Sequence, residues 1–207
     1  MNLLGIESSS RKLSVGLMKK ESFSELRSEK INDTANSLPQ LSKKIITNAS
    51  LSFEDLDAIC ISAGPGSFTG LRIGISAARG LGLATKTQCH GVTTTEAIIE
   101  SLPKDMFERA PVLVILDSKR GDWFVQAFGI DRVPICEIRA IHPNEINAWL
   151  SLNISGQAVS IVGNAVDLAV SFLKKGSWKN ISEIPKVENN NLSLKLKNPK
   201  QFVGYSK

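Results

Sequence analysis

Two stretches, LLGIESSSRKLSVGLM (3–18) and VLVILDSKRGDWFVQAF (112–128), share one layout. Each starts as a short apolar run and ends that run in an acid, Glu7 or Asp117. Each then turns through a serine and an arginine (Ser8 and Arg11, Ser118 and Arg120) and resumes as a second strand-like run. Short apolar runs joined by tight polar turns predict antiparallel strand pairs. The same order continues outward from both pairs. In the first half, strands over 2–8, 12–18 and 22–28 lead to a helix over Asn36–Thr47, with Leu38, Leu41, Ile45 and Ile46 at helical spacing and Pro39 in its first turn. A buried strand over 57–63 and a helix over Gly70–Ala84 follow, then a helix containing Glu96–Leu102 that starts at the Thr93–Thr95 cluster. In the second half, strands over 110–118, 123–129 and 134–141 lead to a helix over Pro143–Leu150, a strand over 158–163 and a helix over Asn164–Lys174.

A supersecondary order that occurs twice divides the chain. The expected parts are an N-terminal lobe over 1–105, a C-terminal lobe over 106–176 and a tail over 177–207. Two α/β halves of βββαβα order, each with a mixed sheet and an acidic turn after its first strand, predict the two-lobed architecture of actin, sugar kinases and heat-shock ATPases. In that architecture the ligand cleft lies between the lobes, and the architecture alone assigns no chemistry. Its ATP-using members hold magnesium or a water with these acids. The alternative for Glu7 and Asp117 is that they stabilise their turns, with Arg11 or Arg120 as partners.

The apolar share is 42% and the charged share 22%, enough for a chain of 207 residues to bury a core without metals or disulfides. Cys60, Cys89 and Cys136 are odd in number, far apart and free of any CxxC pair, which favours a reducing, cytoplasmic setting. The opening MNLLGIESSSRK is too short in its apolar run for a signal peptide, and no run approaches bilayer-spanning length. The net charge is +5, yet residues 174–207 hold eight lysines against Glu183 and Glu188, a balance of +6 that leaves −1 for the rest. That tail is either a solvated extension or a foot for an acidic partner such as RNA.

The loop SAGPGSFTGLRIGISAARG (62–80) fails two nucleotide templates. Leu71 and Arg72 follow Gly70 where a P-loop has Lys and Ser or Thr, and Thr69 stands where a dinucleotide loop has its third glycine. Ser67 or Thr69 is placed to cap the helix, and a capped helix start suits an anion. Glu7, Gly64, Gly66, Ser67, Thr69 and Gly70 are thus candidates for a vestigial anion or nucleotide site. Gly70, Gly74, Ala77, Ala78 and Gly82 make a small-residue line along the helix. It allows close approach either by this chain's own elements or by another subunit.

GPGSFTGLRIGISAARGLG (64–82), followed by GVTTTEAI (91–98) and VILDSKRGDWFVQ (114–126) and preceded by LLGIESSSRKLSVGL (3–17), resembles the signature of the TsaB (YeaZ) family. The match runs in order to about residue 175. The resemblance implies a non-catalytic relative of TsaD that works with TsaD and the ATPase TsaE. Together these transfer a threonylcarbamoyl group to N6 of adenosine 37 in tRNA. It also implies pairing with TsaD, or self-pairing into a homodimer, through N-terminal helices. Leu38, Leu41, Ile45, Gly70, Gly74, Ala77 and Ala78 are the candidate pairing residues. ATP and metal would belong to the partners, with tRNA met through the complex. A TsaD-type metal site needs HxxxH on one helix, whereas the comparable NDTANSLPQLSKKII (32–46) has no histidine, and His90 and His142 are 52 positions apart. No Ser–His–Asp or Cys–His pattern is evident, which disfavours a protease. An independent ATP-dependent phosphotransferase is the alternative reading. The end, NPKQFVGYSK (198–207), departs from the family's usual closing P-x-Y-L-R.

Overall fold

The computed structural model describes residues 1–107, 110–154 and 158–173, together with the backbone of 181–183. It resolves into two compact units that divide at Ala97/Ile98. The division falls inside a helix, eight residues before the expected boundary at 105/106. The basic tail over 177–207 lies outside the described residues except for the backbone of 181–183.

In the first unit, β1 (Asn2–Glu7), β2 (Ser14–Lys19) and β3 (Ser22–Arg27) form an antiparallel meander. On the other side of β1, β4 (Ala58–Gly64) and β5 (Gln88–Thr93) add in parallel, giving the order β3-β2-β1-β4-β5. The central position of β1 explains its near-continuous apolar run, since both of its faces are covered. Side chains alternate across it. Leu4 and Ile6 enter one core with Ile59 and Ile61, whereas Leu3 enters a smaller cluster with Ala58, Cys60 and Val92 on the opposite face. Helices α1 (Thr34–Asn48) and α2 (Phe68–Thr85) pack side by side and line the larger core. Because α1 begins at Thr34, Pro39 lies inside the helix rather than in its first turn.

Strand β5 has no counterpart in the sequence-based expectation. QCHGVT is an edge strand of mixed polarity, so it shows neither a clean alternation nor a buried apolar run. Helix α3 (Thr94–Ser101) starts where the threonine cluster predicts. Thr93 Oγ1 accepts the Glu96 N–H, and the Glu96 carboxylate accepts the Thr93 N–H, a reciprocal cap.

The second unit repeats the order. β6 (Val112–Asp117), β7 (Trp123–Phe128) and β8 (Arg139–Ile141) are antiparallel, and β9 (Val159–Val162) and β10 (Ile181–Glu183) add in parallel beside β6. The sheet order β10-β9-β6-β7-β8 matches that of the first unit strand for strand. Helices α4 (Ile146–Asn153) and α5 (Val166–Leu173) cover one face around Leu113, Ile115, Val125, Trp149 and Ile161. β8 is shorter than the predicted 134–141. The chain first makes a turn in which Gly129 N–H donates to Val133 C=O, and only a single bridge joins Phe128 to Pro134. Arg132 holds this turn by donating to Leu102 C=O at 3.0 Å and by lying 4.5 Å above the Phe107 ring.

Candidate functional site

The glycine loop is built around the turn that leaves β1. Gly64 ends β4 with φ +98, a left-handed conformation suited to glycine. Ser67 then caps α2, its hydroxyl accepting the Gly70 N–H at 3.2 Å. Thr69 is exposed in the first turn of α2 and is not the cap. The loop is occupied by the chain itself. The Ser67 N–H donates to Ser9 C=O at 2.6 Å, and the Ser8 N–H donates to the Ser62 hydroxyl at 3.1 Å. Gly66 sits against the Ser9 carbonyl. A Cβ on Gly70 would overlap the Ser8 carbonyl oxygen, and one on Gly74 would overlap the Ser8 hydroxyl. The first part of the small-residue line, Gly70 and Gly74, is therefore the surface on which the β1–β2 turn rests, while Gly82 lies against Cys89 and Thr87 at β5.

This corrects most of the pairing set read from sequence. Gly70, Gly74 and Ala78 are buried against the first unit's own sheet and turn, and Leu38 and Ile45 are core residues. Leu41 is half-buried against that core. Ala77 alone of the seven is exposed. The opposite side of α2 carries what sequence reasoning missed. Phe68, Arg72, Arg79 and Leu83 recur at spacings of four, seven and four, so they share one line facing solvent. Phe68 is 55% exposed and Leu83 84%. The Arg72 guanidinium lies 3.7 Å above the Phe68 ring. Placing the buried line at 70, 74, 78 and 82 would have identified this face from helical geometry alone.

Glu7 stands apart from the loop. Its place in the alternation of β1 puts it on the face of Leu3, opposite the one on which Ser8 meets α2. It is 2% exposed. Oε1 accepts the Ser9 N–H at 2.6 Å and the Ser9 hydroxyl at 2.5 Å, while Oε2 is buried without a hydrogen-bond partner. Burial raises the carboxyl pKa, against the two Ser9 hydrogen bonds that lower it. Asp117, at the same place in the second unit, is tuned the other way. Its partial burial acts upward, but the Lys119 ammonium at 2.6 Å and the Lys119 N–H at 2.7 Å hold it below the ordinary range. The partners of the two acids are thus Ser9 and Lys119, not Arg11 or Arg120. Of the candidate anion set, Gly66, Ser67 and Gly70 gather at the Ser8–Ser9 turn, Gly64 and Thr69 flank them, and Glu7 faces away.

The remaining polar residues are dispersed. His90 is on β5, and His142 precedes a 3₁₀ turn in the second unit, its Nδ1 accepting the Asn144 N–H. Among the described residues there is no group of three or more His, Cys, Asp and Glu arranged to hold a metal. Cys60 is buried, and that burial, with Cys89 nearby, pushes its thiol up to about 12. No helix among the described residues is long and apolar enough to cross a membrane.

The comparisons match this geometry to known proteins. The sequence pattern of the family described as TsaD, tRNA N6-adenosine threonylcarbamoyltransferase, matches residues 31–193. A relative from Buchnera aphidicola, the tRNA threonylcarbamoyladenosine biosynthesis protein TsaB, is 32% identical over 120 residues, 58% of this chain and 56% of that protein. The chain thus aligns with little more than half the length of that curated relative. The structure of YeaZ from Pseudomonas aeruginosa superposes with a TM-score of 0.71 at 17% identity, covering 99% of this chain and 97% of the other. A Bacteroides thetaiotaomicron protein with an actin-like ATPase fold superposes with a TM-score of 0.50 at 11% identity, covering 88% and 90%. The duplicated α/β fold is the one expected. With the family pattern matched over residues 31–193 and the YeaZ fold shared along nearly the whole chain, this protein belongs to the TsaD family, in its TsaB/YeaZ group.

Proposed function

We propose that this chain is a non-catalytic subunit of the system that makes N6-threonylcarbamoyladenosine in tRNA, and that it acts by pairing with a TsaD-type transferase supported by the ATPase TsaE. The observation that carries the reading is the state of the glycine loop. Two of its backbone donors, the Gly70 and Ser67 N–H groups, are spent on the chain's own Ser67 hydroxyl and Ser9 carbonyl, and Gly66, Gly70 and Gly74 seat the β1–β2 turn. The name of the Buchnera relative supports the pathway. The sequence of α1 supports the inactive role, since TANSLPQLSKKIITN lacks the HxxxH pair that the resemblance assigns to TsaD.

The exposed side of α2, rather than the glycine line, is the surface this reading uses for pairing. ATP and metal are then supplied by the partners, and tRNA is met within the assembly. The test is reconstitution. The chain alone should transfer no threonylcarbamoyl group, and a TsaD–TsaE mixture should become active when it is added. Transfer by the lone chain, or no binding and no stimulation of TsaD, would sink the proposal.

A further inference from the structure

Strand β3 is an open edge. Among the described residues the first sheet has no strand beyond it, and its pairing with β2 runs from Ser22 to Arg27 without a bulge. The Ser28 N–H donates to Leu13 C=O, which sets the phase of that ladder. Bonded pairs alternate in an antiparallel ladder. Ser22, Ser24 and Leu26 therefore bond inward to β2, and Phe23 and Glu25 turn their N–H and C=O groups outward. Native sheets blunt such an edge with proline, lysine or a bulge. SFSELR has neither proline nor lysine, and Ser22, Phe23 and Ser24 are exposed. The Phe23 ring lies across Gly16, where a Cβ would come within 3.0 Å of it. The edge is preformed and unguarded.

The sequence holds one segment that fits it, outside the described residues. Residues 192–197, LSLKLK, alternate leucine with serine or lysine at every position. Period two is a strand pattern and suits no helix face. Turn-forming residues bound the segment, NNN (189–191) before it and Asn198-Pro199 after it. It has six residues, as β3 has. Residues 192–200 carry three lysines and no acid, whereas residues 21–29 carry three glutamates against Arg27.

We propose that residues 192–197 of this chain add to β3 as a sixth, antiparallel strand of the first sheet. In the register that sets Lys195 opposite Glu25, Lys197 meets the Phe23 ring. Leu194 and Leu196 then extend the side on which Leu26 packs against the core. A second copy's β3 is the poorer partner. Two-fold pairing sets the edge against itself, with Glu21, Glu25 and Glu29 on both sides, and like charges across an interface oppose association. The chain's own segment is also tethered, which raises its effective concentration. Lys195 and Lys197 are then held along the sheet and are not presented to RNA.

Amide hydrogen exchange on the full chain tests the ladder. In this register the Lys195 N–H donates to Glu25 C=O, so Lys195→Pro removes a donor that the pairing uses, and Lys195→Gln keeps it. The Phe23 and Glu25 amides should exchange about tenfold or more faster in Lys195→Pro than in the wild type, and at close to the wild-type rate in Lys195→Gln. The Ser24 and Leu26 amides bond to β2 and should be unchanged in all three chains, which separates loss of the added strand from damage to the sheet. Equal exchange at Phe23 and Glu25 in the wild type and Lys195→Pro overturns the inference. Exchange as fast in Lys195→Gln as in Lys195→Pro overturns it too. Protection of Phe23 and Glu25 that grows with chain concentration also overturns it, because the added strand then comes from a second copy.

Discussion

At Gly74 the helix and the β1–β2 turn compete for the volume of a single methyl group. A Cβ there overlaps the Ser8 hydroxyl and comes within 2.9 Å of Ile61 Cδ1. Overpacking of this kind costs about 1–3 kcal/mol. The helix propensity gained on replacing glycine with alanine is only about 1 kcal/mol. Gly74→Ala should therefore lower the urea midpoint, and adding Ser8→Ala should recover part of the loss, since the Ser8 hydroxyl is buried without a partner. Gly74→Leu should not fold. Glu7 makes a prediction of a different kind. Its folded-state pKa is raised above 4.5, chiefly by burial. Between 4.5 and that higher value the unfolded chain has released the proton while the folded chain still holds it. Stability therefore falls as pH rises through this window, by up to about 1.4 kcal/mol per pH unit, and the loss persists above it. Glu7→Gln keeps an acceptor for Ser9 and removes the ionisation. Thermal unfolding from pH 4 to 8 should show that Glu7→Gln is the more stable at neutral pH and lacks this decline. The depressed Asp117 acts only below 3.8, where its contribution is lost as pH falls, so the two windows do not overlap.

Helix α2 shows what can be read at the level of an element. Its existence and its small-residue line are plain in the sequence, and its start is set by the Ser67 cap. Ser67→Ala should cost about 1 kcal/mol in chemical denaturation. Which side of the helix faces inward was not legible from the small residues alone, because glycine and alanine serve equally for packing within a chain and between chains. The structure decides it through Ser8 and Ser9, which lie some sixty residues earlier in the chain. Strand β5 escaped for a related reason. As an edge strand its polar and apolar positions are set by pairing with β4 rather than by a period of its own. The first two meander strands and the central β4 were legible because burial gives each of them an apolar run. The acids Glu7 and Asp117 were legible as matching positions, but not as opposites in ionisation, which depends on full burial at Glu7 and on Lys119 beside the partly exposed Asp117.

Across the whole molecule the duplication extends to how each unit is stitched. In the first unit the residue after the acid is tied to the fourth strand, Ser8 N–H donating to the Ser62 hydroxyl. In the second the acid itself is tied to the loop after the fourth strand, Asp117 N–H donating to Asn164 Oδ1 at 2.8 Å. Ser62→Ala leaves a buried N–H unpaired and should cost about 1–3 kcal/mol, and Asn164→Ala about 0.5–1.5 kcal/mol. The two ties share no partners, so the double variant should show the sum of the single losses in urea unfolding. The seating of the β1–β2 turn on α2 also bears on how such sequences are sorted. A loop whose glycines are demanded by its own neighbouring backbone keeps its spelling for reasons of shape, whatever chemistry surrounds it. GPGSFTG is thus a spelling for the way two segments nest together, and by itself it distinguishes no chemistry.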